Sequence, residues 1–567
     1  MNVNYLLSIV RKFYNLLSAK HRFYFGILML FTIGFSMVET LGISAIMPFI
    51  SIASNPDLLN VGLYKKALDL IGIARKDLFI FYFGIAIIIF YIFRAVYNIG
   101  HTYLINRFSM VINRYFSVKL LGQILSMPYR LYVQRNSGEL TAIINGESRQ
   151  LSNLAINVLY LCTELSTIVL VYVLLLVINL RMTLILTAIL AVFSVVFFVT
   201  LINKNKILGK KRVESGMRTF RILTEAFGNY KFVRLKGNKK TIVSNYDAAL
   251  HESLKTSVSS NILGILPKSI LESVGFSLLI AAVLFILIKY KDASLVIPTI
   301  SMYALALYRI LPSMHRMFGY INQIAFVQHS LDIVYEALQI PSANEGNESI
   351  AFNKAININN VSFKYATGNE VINNISLVIR KGEKLAITGE SGGGKSTLVD
   401  LIIGIHEPLS GSLVIDDTPV NNENVLSWRR KIGYIPQSIY LFDGTVAENV
   451  IIGSKYDEAR IKNVLQKANI LDFLETKDGI HTKVGEHGIQ LSGGQQQRIG
   501  IARALYDDPE VLVLDEATSS LDTETESKIM EEIYEASNNK TLIVIAHRLS
   551  TIERCNRRIK IENGSIV

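Results

Sequence analysis

The sequence predicts a membrane α-helical domain with six spans, followed by an α/β domain. Six stretches are apolar over about 20 residues or more, the length that crosses a bilayer. After a polar linker at 340–350, short β-branched segments alternate with helical ones, which is typical of an α/β fold with a largely parallel sheet. A chain of 567 residues also exceeds what one hydrophobic core usually holds. We therefore expect a membrane domain over 1–339 and a second domain over 351–567.

Composition and charge support this division. Half of the residues are apolar, only 18% are charged and the mean hydropathy is +0.35, whereas soluble proteins carry about 25% charged residues. Residues 1–350 contain 34 Lys and Arg against 17 Asp and Glu (34 − 17 = +17), and residues 351–567 contain 24 against 29 (24 − 29 = −5). The basic excess accompanies the apolar stretches, so it indicates the cytoplasmic loops of a membrane protein. We expect no nucleic-acid partner.

Charge also predicts the orientation of the spans. The connection 106–152 carries six Lys and Arg and the connection 203–261 carries thirteen, whereas the turns 179–181 and 289–293 carry one and two. By the positive-inside rule, both long connections and both termini lie in the cytoplasm. The spans themselves are predicted at 24–50, 78–105, 153–178, 182–202, 262–288 and 294–318.

Three shorter features complete the membrane half. The two long connections are rich in helix formers, so we expect helical extensions whose midpoints, 127–130 and 224–227, touch the cytosolic domain. Residues 60–72 form an amphipathic helix candidate, which either packs against the ends of the spans or contacts lipid tails at the outer leaflet. Cys162 and Cys555 have the spacing of neither a disulfide framework nor a metal site.

The most specific motif is a glycine-rich loop that runs from Gly389 to Thr397. It follows the strand 384–388 and opens the helix 398–403, which is the setting that a phosphate-binding loop requires. Its glycines turn backbone N–H groups towards phosphate oxygens, and the helix N-terminus adds a favourable dipole. We expect Lys395 to reach the β- and γ-phosphates of a nucleotide. The predicted ligands in this loop are Gly389, Gly392, Gly394, Lys395, Ser396 and Thr397, with the Ser396 hydroxyl on Mg²⁺.

Two acids complete the predicted phosphate chemistry. Asp515 and Glu516 end the apolar strand 511–514. Asp515 fits the water shell of Mg²⁺, and Glu516 fits the group that orients or deprotonates the attacking water. Acids at a strand end can also cap the next helix. The phosphate-binding loop upstream favours the catalytic interpretation.

A second glycine-rich helix start lies between these motifs, at Ser492, Gly493, Gly494 and Gln495. With it, residues 351–567 resemble the ATP-binding cassette family, whose motifs all occur here in order. The resemblance implies that Tyr365 stacks on adenine and that Gln437 senses Mg²⁺. It further matches Asp522 to the D-loop, as an ATP-binding residue, and His547 to the switch histidine that contacts the γ-phosphate.

The same resemblance implies a dimer. In this family the signature of one cassette (Leu491 to Gln495 here) meets the γ-phosphate held by another, and this chain carries one cassette. A C₂ homodimer is the simplest solution. Together with six spans, the resemblance implies an exporter-type half-transporter, with catalytic Glu516, Gln437 and His547 and with ATP and Mg²⁺ as ligands.

Three cations inside the predicted spans suggest what is carried. Arg94, Arg309 and Lys268 fall at similar depth in the inner half of the membrane, where charges are costly and functional by default. Two copies would provide a ring of six cations suited to a phosphate or a diphosphate. Alternatively, these side chains snorkel, or they pair with Glu39, Glu164 or Glu272.

The membrane half also resembles the lipid-linked oligosaccharide flippases of the PglK/Wzk type. The matching segments are 38–40 with 47–49, 91–95, 271–276 and 306–313; Lys268 stands where that family has arginine. The resemblance implies flipping of an undecaprenyl-diphosphate oligosaccharide across the bacterial inner membrane, for protein glycosylation or O-antigen assembly. The alternative is an exporter of lipid A or of hydrophobic drugs. Outside the cassette, no acid pair or metal cluster favours a glycan-processing enzyme.

Overall fold

A computed structural model describes most of the chain. It leaves out residues 1–2, 55, 61–74, 179, 291–296, 344, 366–369, 486–487, 517–522 and 546–551, together with many side chains within 177–202 and 278–309. The chain forms two compact units: Met1–Leu125 with Arg135–Ile340, and Ser126–Gln134 with Pro341–Val567. The predicted amphipathic helix at 60–72 lies almost entirely outside the described residues.

The first half of the chain is helical. Its helices, in order, are α1 (Val3–Leu16), α2 (Ala19–Ser54), α3 (Lys76–Leu125), α4 (Tyr129–Tyr132), α5 (Ser137–Ala142), α6 (Ser148–Ile178), α7 (Leu180–Gly228), α8 (Tyr230–Lys236), α9 (Lys239–Tyr290) and α10 (Ile297–Gln339). A 3₁₀ turn spans Pro56–Asn60 and a π-helical turn spans Ile143–Glu147. Helices α3, α7, α9 and α10 run well past the length of a span. The two helical connections predict this for α3, α7 and α9.

Among the described residues, three helical stretches are long and apolar enough to cross a membrane. These are Ala19–Ile50, Lys76–Leu125 and Ser137–Leu176, which match the first three predicted spans. The other three predicted spans fall on α7, α9 and α10, along stretches whose side chains are only partly described. Large apolar side chains of α3, such as Ile88, Ile92 and Ile99, are more than 60% exposed. An apolar face of this kind is stable in lipid rather than in water.

The helical unit has a core and a buried ion pair near the π-helical turn. Phe13, Phe116, Leu151 and others from α1, α3, α6 and α10 pack together without solvent exposure. On the neighbouring α7, Arg212 donates to Glu147 at 2.7 Å and to Ser330 at 2.8 Å. This single side chain therefore ties α7 to the π-helical turn and to α10.

The second unit combines two sheets. An antiparallel sheet has the order β2 (Glu370–Arg380), β1 (Ala355–Lys364), β4 (Ser410–Ile415) and β5 (Thr418–Pro419). A second sheet has the order β10 (Ser565–Ile566), β9 (Arg557–Glu562), β3 (Lys384–Gly389), β8 (Thr541–Ile545), β7 (Val511–Asp515) and β6 (Ile432–Ile435). From β9 to β6 every pair is parallel. The predicted α/β fold is therefore confirmed.

Helices cover the parallel sheet. They are α11 (Lys395–Ile402), α12 (Val425–Arg429), α13 (Val446–Ile451), α14 (Glu458–Lys467), α15 (Leu471–Glu475), α16 (Gly493–Leu505) and α17 (Thr523–Ala536). Strands β7 and β8 are buried along almost their whole length, as expected for central parallel strands covered on both faces. Trp428, the one tryptophan of the sequence, is fully buried in this unit and donates to the Ile402 carbonyl at 2.8 Å.

The segment Ser126–Gln134, which contains α4, belongs to the second unit. Its Tyr129 ring lies 5.5 Å from the ring of His406, and the Ala343 N–H donates to the Ser126 carbonyl at 2.7 Å. These contacts agree with the prediction that residues 127–130 touch the cytosolic domain. The other predicted tip, 224–227, lies at the end of α7 in the first unit, where Phe227 is 71% exposed.

Candidate phosphate site and membrane cavity

The glycine-rich loop connects β3 to α11 and has a backbone that requires glycine. Gly389, Gly392 and Gly394 have φ values of 142°, 82° and 103°, a region that L side chains rarely adopt. At Gly389 an added Cβ would also collide with the Ile561 carbonyl oxygen. The loop thus leaves space and N–H groups at the start of a helix, as phosphate binding requires.

Lys395 lies within this loop. Its side chain is buried, and its ammonium donates to the carbonyl oxygens of Gly389 at 3.1 Å and Glu390 at 2.9 Å. Phosphate oxygens are stronger acceptors than neutral carbonyls, because a charged partner shortens and strengthens the bond. The same ammonium can therefore turn from the loop carbonyls to a bound phosphate.

Oxygen ligands for Mg²⁺ meet at the carboxyl end of β7. The Ser396 hydroxyl donates to Asp515 Oδ1 at 3.3 Å, and the Tyr434 hydroxyl donates to Asp515 Oδ2 at 3.1 Å. Burial raises the pKa of Asp515, and the nearby Glu516 carboxylate raises it further. A hydroxyl and a carboxylate are the hard donors that Mg²⁺ prefers, and a cation between them would offset the cost of the buried charge. The residues present fit the metal.

The next residue, Glu516, contacts the predicted Mg²⁺ sensor. Gln437 Nε2 donates to Glu516 Oε2 at 2.8 Å. Glu516 itself has a φ of 47°, an uncommon left-handed conformation for a residue with a side chain. Its backbone N–H donates to the Ile545 carbonyl at 3.1 Å, so the strained residue is held by the neighbouring strand.

The second glycine-rich motif caps α16. The Ser492 side chain accepts from the Gln495 N–H at 3.4 Å, and the Gln495 side chain accepts from the Ser492 N–H at 2.8 Å. This capping box uses two N–H groups of the helix start. An added Cβ at Gly493 would meet nothing within 4 Å, so the surface there is open. Gly494 follows it in the first turn of the helix.

The remaining predicted cassette residues divide between described and undescribed parts of the chain. The Tyr365 hydroxyl lies 3.2 Å from the Thr397 hydroxyl, which joins the predicted adenine-stacking residue to the phosphate-loop helix. Asp522 and His547 both lie outside the described residues. Their assigned roles stay predictions.

In the membrane unit, a cavity of about 460 Å³ collects charged and aromatic side chains of four helices. The polar lining residues of α3 are Tyr91, Arg94, Asn98 and His101, spaced i, i+3, i+7 and i+10 on one face. The residues lining the cavity are Phe35, Glu39, Tyr91, Arg94, Ala95, Asn98, His101, Tyr160, Thr163, Glu164, Arg316 and Tyr320.

Ion pairs inside this cavity bear on the three cations predicted to bind the substrate, whose role stays a prediction. Arg94 donates to Glu39 at 3.3 Å, so the alternative of pairing with an acid holds for Arg94. The reason is that an isolated charge away from water costs far more than a paired one. Lys268 is exposed on α9 and is not among the residues that line the cavity. The backbone of Arg309 lies in α10, but its side chain is outside the described residues.

Arg316 is a cavity residue that the sequence interpretation missed. It makes two bonds to Glu164, Nε to Oε1 at 2.5 Å and Nη2 to Oε2 at 3.1 Å, and a third to Ser313 at 3.2 Å. Arg316 lies seven residues after Arg309 within the predicted span 294–318. Two helical turns keep a side chain on the same face, so that spacing was the available signal.

Comparisons with known proteins agree with this architecture. Residues 22–311 match the family model of the ABC transporter transmembrane region, and residues 372–519 match the ABC transporter model. The solved structure of a bacterial Atm1-family ABC exporter with ATP bound has a TM-score of 0.78 at 21% identity. That likeness covers 97% of this chain and 94% of the other, and it shows a shared fold.

Curated relatives are similar over different lengths. The heterocyst differentiation ATP-binding protein HepA of Nostoc sp. and the ATP-dependent lipid A-core flippase of Saccharophagus degradans are each 34% identical over 62% of this chain. The chain spans 56% and 60% of those two proteins. The ATP-dependent lipid A-core flippase of Ralstonia nicotianae is 27% identical over 85% of this chain and 82% of its own length.

The membrane match covers half of the chain, and the cassette match covers the phosphate loop and both acids at the carboxyl end of β7. The phosphate loop, the paired Gln437 and Glu516 and the parallel sheet are the structural counterparts of that match. The protein thus belongs to the ABC transporter family, with an exporter-type membrane domain fused to an ATP-binding cassette.

Proposed function

We propose that this protein is a half-transporter that uses ATP to flip a phosphorylated glycolipid from the cytoplasmic to the outer leaflet of a bacterial inner membrane. One observation carries the proposal: a polar cavity that contains Arg94 and Arg316 within the helical unit of an ABC transporter. Arginine forks recognise phosphate oxygens. The aromatic rings of Tyr160 and Tyr320 at the same cavity provide apolar faces for sugar rings.

Lipid A-core is the substrate that the relatives favour. Two of the relatives described above are named lipid A-core flippases, and one of these aligns over 85% of this chain. Phosphate groups on a sugar headgroup match a cavity that offers arginines and aromatic rings together. Acyl chains can stay in the surrounding lipid while the headgroup crosses.

A second candidate is an undecaprenyl-diphosphate oligosaccharide, the substrate implied by the resemblance to the PglK/Wzk type. Two of the segments that carry the resemblance, 38–40 and 91–95, meet through the Glu39–Arg94 ion pair. A diphosphate presents the same chemistry to the arginines as a phosphate monoester does. The two candidates therefore share the headgroup chemistry and differ in the lipid.

The cassette residues have separate proposed roles in ATP hydrolysis. Ser396, Asp515 and Gln437 are proposed to hold Mg²⁺, which when bound neutralises charge on the β- and γ-phosphates. Lys395 donates to the phosphates, and Glu516 orients the attacking water and accepts its proton. His547 is proposed to contact the γ-phosphate, and Asp522 is proposed to belong to the ATP-binding residues. The signature helix of a second copy would close the site, so we propose a homodimer.

ATP-dependent translocation in proteoliposomes tests the proposal. Fluorescent lipid A-core and a fluorescent undecaprenyl-diphosphate oligosaccharide are supplied separately, and Glu516→Gln serves as the inactive control. We expect movement of one of the two lipids by the wild type and none by the variant. If neither lipid moves while the wild type hydrolyses ATP in the same vesicles, the phosphoglycolipid proposal is wrong.

A further inference from the structure

The membrane cavity contains as many carboxylates as guanidinium groups among the residues described as lining it. Arg94 faces Glu39 and Arg316 faces Glu164, at 3.3 and 2.5 Å. The carboxylates are the more enclosed partners, with side-chain exposures of 14% and 10%. An anionic headgroup that enters the cavity must therefore compete with two carboxylates that are already in place.

The competition depends on the charge of the headgroup. A phosphodiester carries one negative charge, as a carboxylate does, and a tethered carboxylate acts at a high effective concentration. A phosphodiester therefore gains little by displacing it. A phosphate monoester carries about −1.5 to −2 charges and three acceptor oxygens at neutral pH, and a diphosphate is comparably charged. Such dianionic groups can outcompete a carboxylate for a guanidinium.

We infer that Glu39 and Glu164 are specificity residues, which exclude the singly charged phosphodiesters of ordinary bilayer lipids and admit dianionic phosphate headgroups. This inference rests on the proposed function, because it concerns the substrate of the same cavity. Specificity of this kind works by repulsion of the wrong ligand as much as by attraction of the right one. Such exclusion is needed because phosphodiester lipids greatly outnumber any exported lipid around the spans.

His101 supplies a further polar group at this cavity. Its side chain is 2% exposed, its ring stacks on Phe35 at 4.6 Å, and its Nε2 has no hydrogen-bond partner among the described residues. A buried polar atom without a protein partner points to a ligand.

Lipid-stimulated ATPase activity in proteoliposomes tests the inference. The probes are lipid A with phosphate monoesters, undecaprenyl diphosphate, and phosphatidylglycerol as the phosphodiester. The wild type should respond to a dianionic lipid and not to phosphatidylglycerol. In Glu39→Gln and in Glu164→Gln, phosphatidylglycerol should become a stimulator. Its half-maximal concentration should lie at least about tenfold below the highest concentration that leaves the wild type unstimulated.

Matched variants separate selectivity from folding. Glu164→Asp keeps the negative charge, so it should retain the exclusion of phosphatidylglycerol. Glu272→Gln removes a carboxylate of α9 that does not line the cavity, so it should keep the wild-type selectivity. Glu39→Gln, whose ion pair with Arg94 is the longer of the two, provides a second variant if Glu164→Gln does not assemble.

The outcomes distinguish the inference from the function on which it rests. If no dianionic lipid stimulates the wild type, the proposed function itself fails. If the wild type is selective and both glutamine variants keep that selectivity, the role of the carboxylates is wrong and the transporter proposal stands. A response to lipid A alone or to undecaprenyl diphosphate alone identifies the source of the dianionic group.

Discussion

Gln437 Nε2 and Glu516 Oε2 are joined by a hydrogen bond of 2.8 Å. The two residues come from different parts of the cassette, 79 positions apart. Glu516 adopts a left-handed backbone conformation directly after strand β7. The amide thus holds the carboxylate that we propose as the general base. A change at either residue should alter the position or charge of that carboxylate.

Glu516→Gln should lower the rate of ATP hydrolysis by about 100-fold or more, because a positioned general base contributes about 10²–10⁴. Phosphate release from the full-length protein in detergent measures the rate. Nucleotide binding should persist, since Lys395 and the glycine loop are unchanged. Glu535→Gln, an exposed position on α17, is the matched control and should hydrolyse ATP normally. Turnover at the wild-type rate in Glu516→Gln would refute the assigned role.

Gly389→Ala should destabilise the cassette by about 2 kcal/mol or more. Its Cβ would meet the Ile561 carbonyl, and its φ of 142° is strained for alanine. Trp428 is the single tryptophan and is buried in the cassette, so intrinsic fluorescence reports the unfolding of that unit in the full-length protein. Gly493→Ala, in open space at a helix start, should change the free energy of unfolding by less than about 1 kcal/mol. Equal effects of the two substitutions would contradict the steric argument.

Asp400 and His406 should give the cassette two opposing dependences on pH. Burial and the nearby Asp515 raise the pKa of Asp400 from 3.8 to about 6. Between pH 4 and 6 the unfolded chain therefore loses this proton first, and stability falls as pH rises.

Burial, aided by Arg130, lowers the pKa of His406 from 6.5 to about 4. Between pH 6.5 and 4 the unfolded chain gains this proton first, so stability falls as pH falls.

Single substitutions should expose each dependence. In Asp400→Asn, the midpoint of unfolding by Trp428 fluorescence should fall as the pH is lowered from 6.5 to 4, through His406. In His406→Gln it should instead rise as the pH is lowered from 6 to 4, through Asp400. The measured quantity is the slope of the unfolding midpoint against pH, compared between the two variants. Slopes of the same sign in both variants would show that other groups dominate this pH range.

Arg212→Ala should destabilise the helical unit by about 3–5 kcal/mol. The Glu147 side chain is 5% exposed, and without Arg212 it would keep a buried charge with its partner removed. The thermal midpoint of the protein in detergent, followed by loss of helical circular dichroism, measures the effect. Lys210→Ala removes a neighbouring cation whose side chain is 63% exposed, and it should shift the stability by less than about 1 kcal/mol. Comparable losses of stability in the two variants would mean that the buried pair of Arg212 and Glu147 contributes little to the stability of the helical unit.

Local sequence patterns predicted most of the architecture. Apolar length, the basic connections and the alternation of strands with helices predicted a helical membrane domain and an α/β domain, because each signal depends on neighbouring residues. The phosphate loop was equally readable, since its glycines, its lysine and its flanking strand and helix are contiguous. The antiparallel sheet was not predicted, because strand pairing depends on contacts far apart in sequence.

The apolar stretch around Arg94 predicted that this charge lies in the membrane, and its charge supported two interpretations, a ring of cations or pairs with acids. Only the tertiary structure decided between them for this residue, by placing Glu39 of α2 beside Arg94 of α3. It likewise brought Arg316 to Glu164 and Gln437 to Glu516. The physical reason is that the sequence gives the residue types present at a site but not their neighbours. Which charged groups pair, and hence the net charge that a ligand meets, depends on which helices and strands lie side by side.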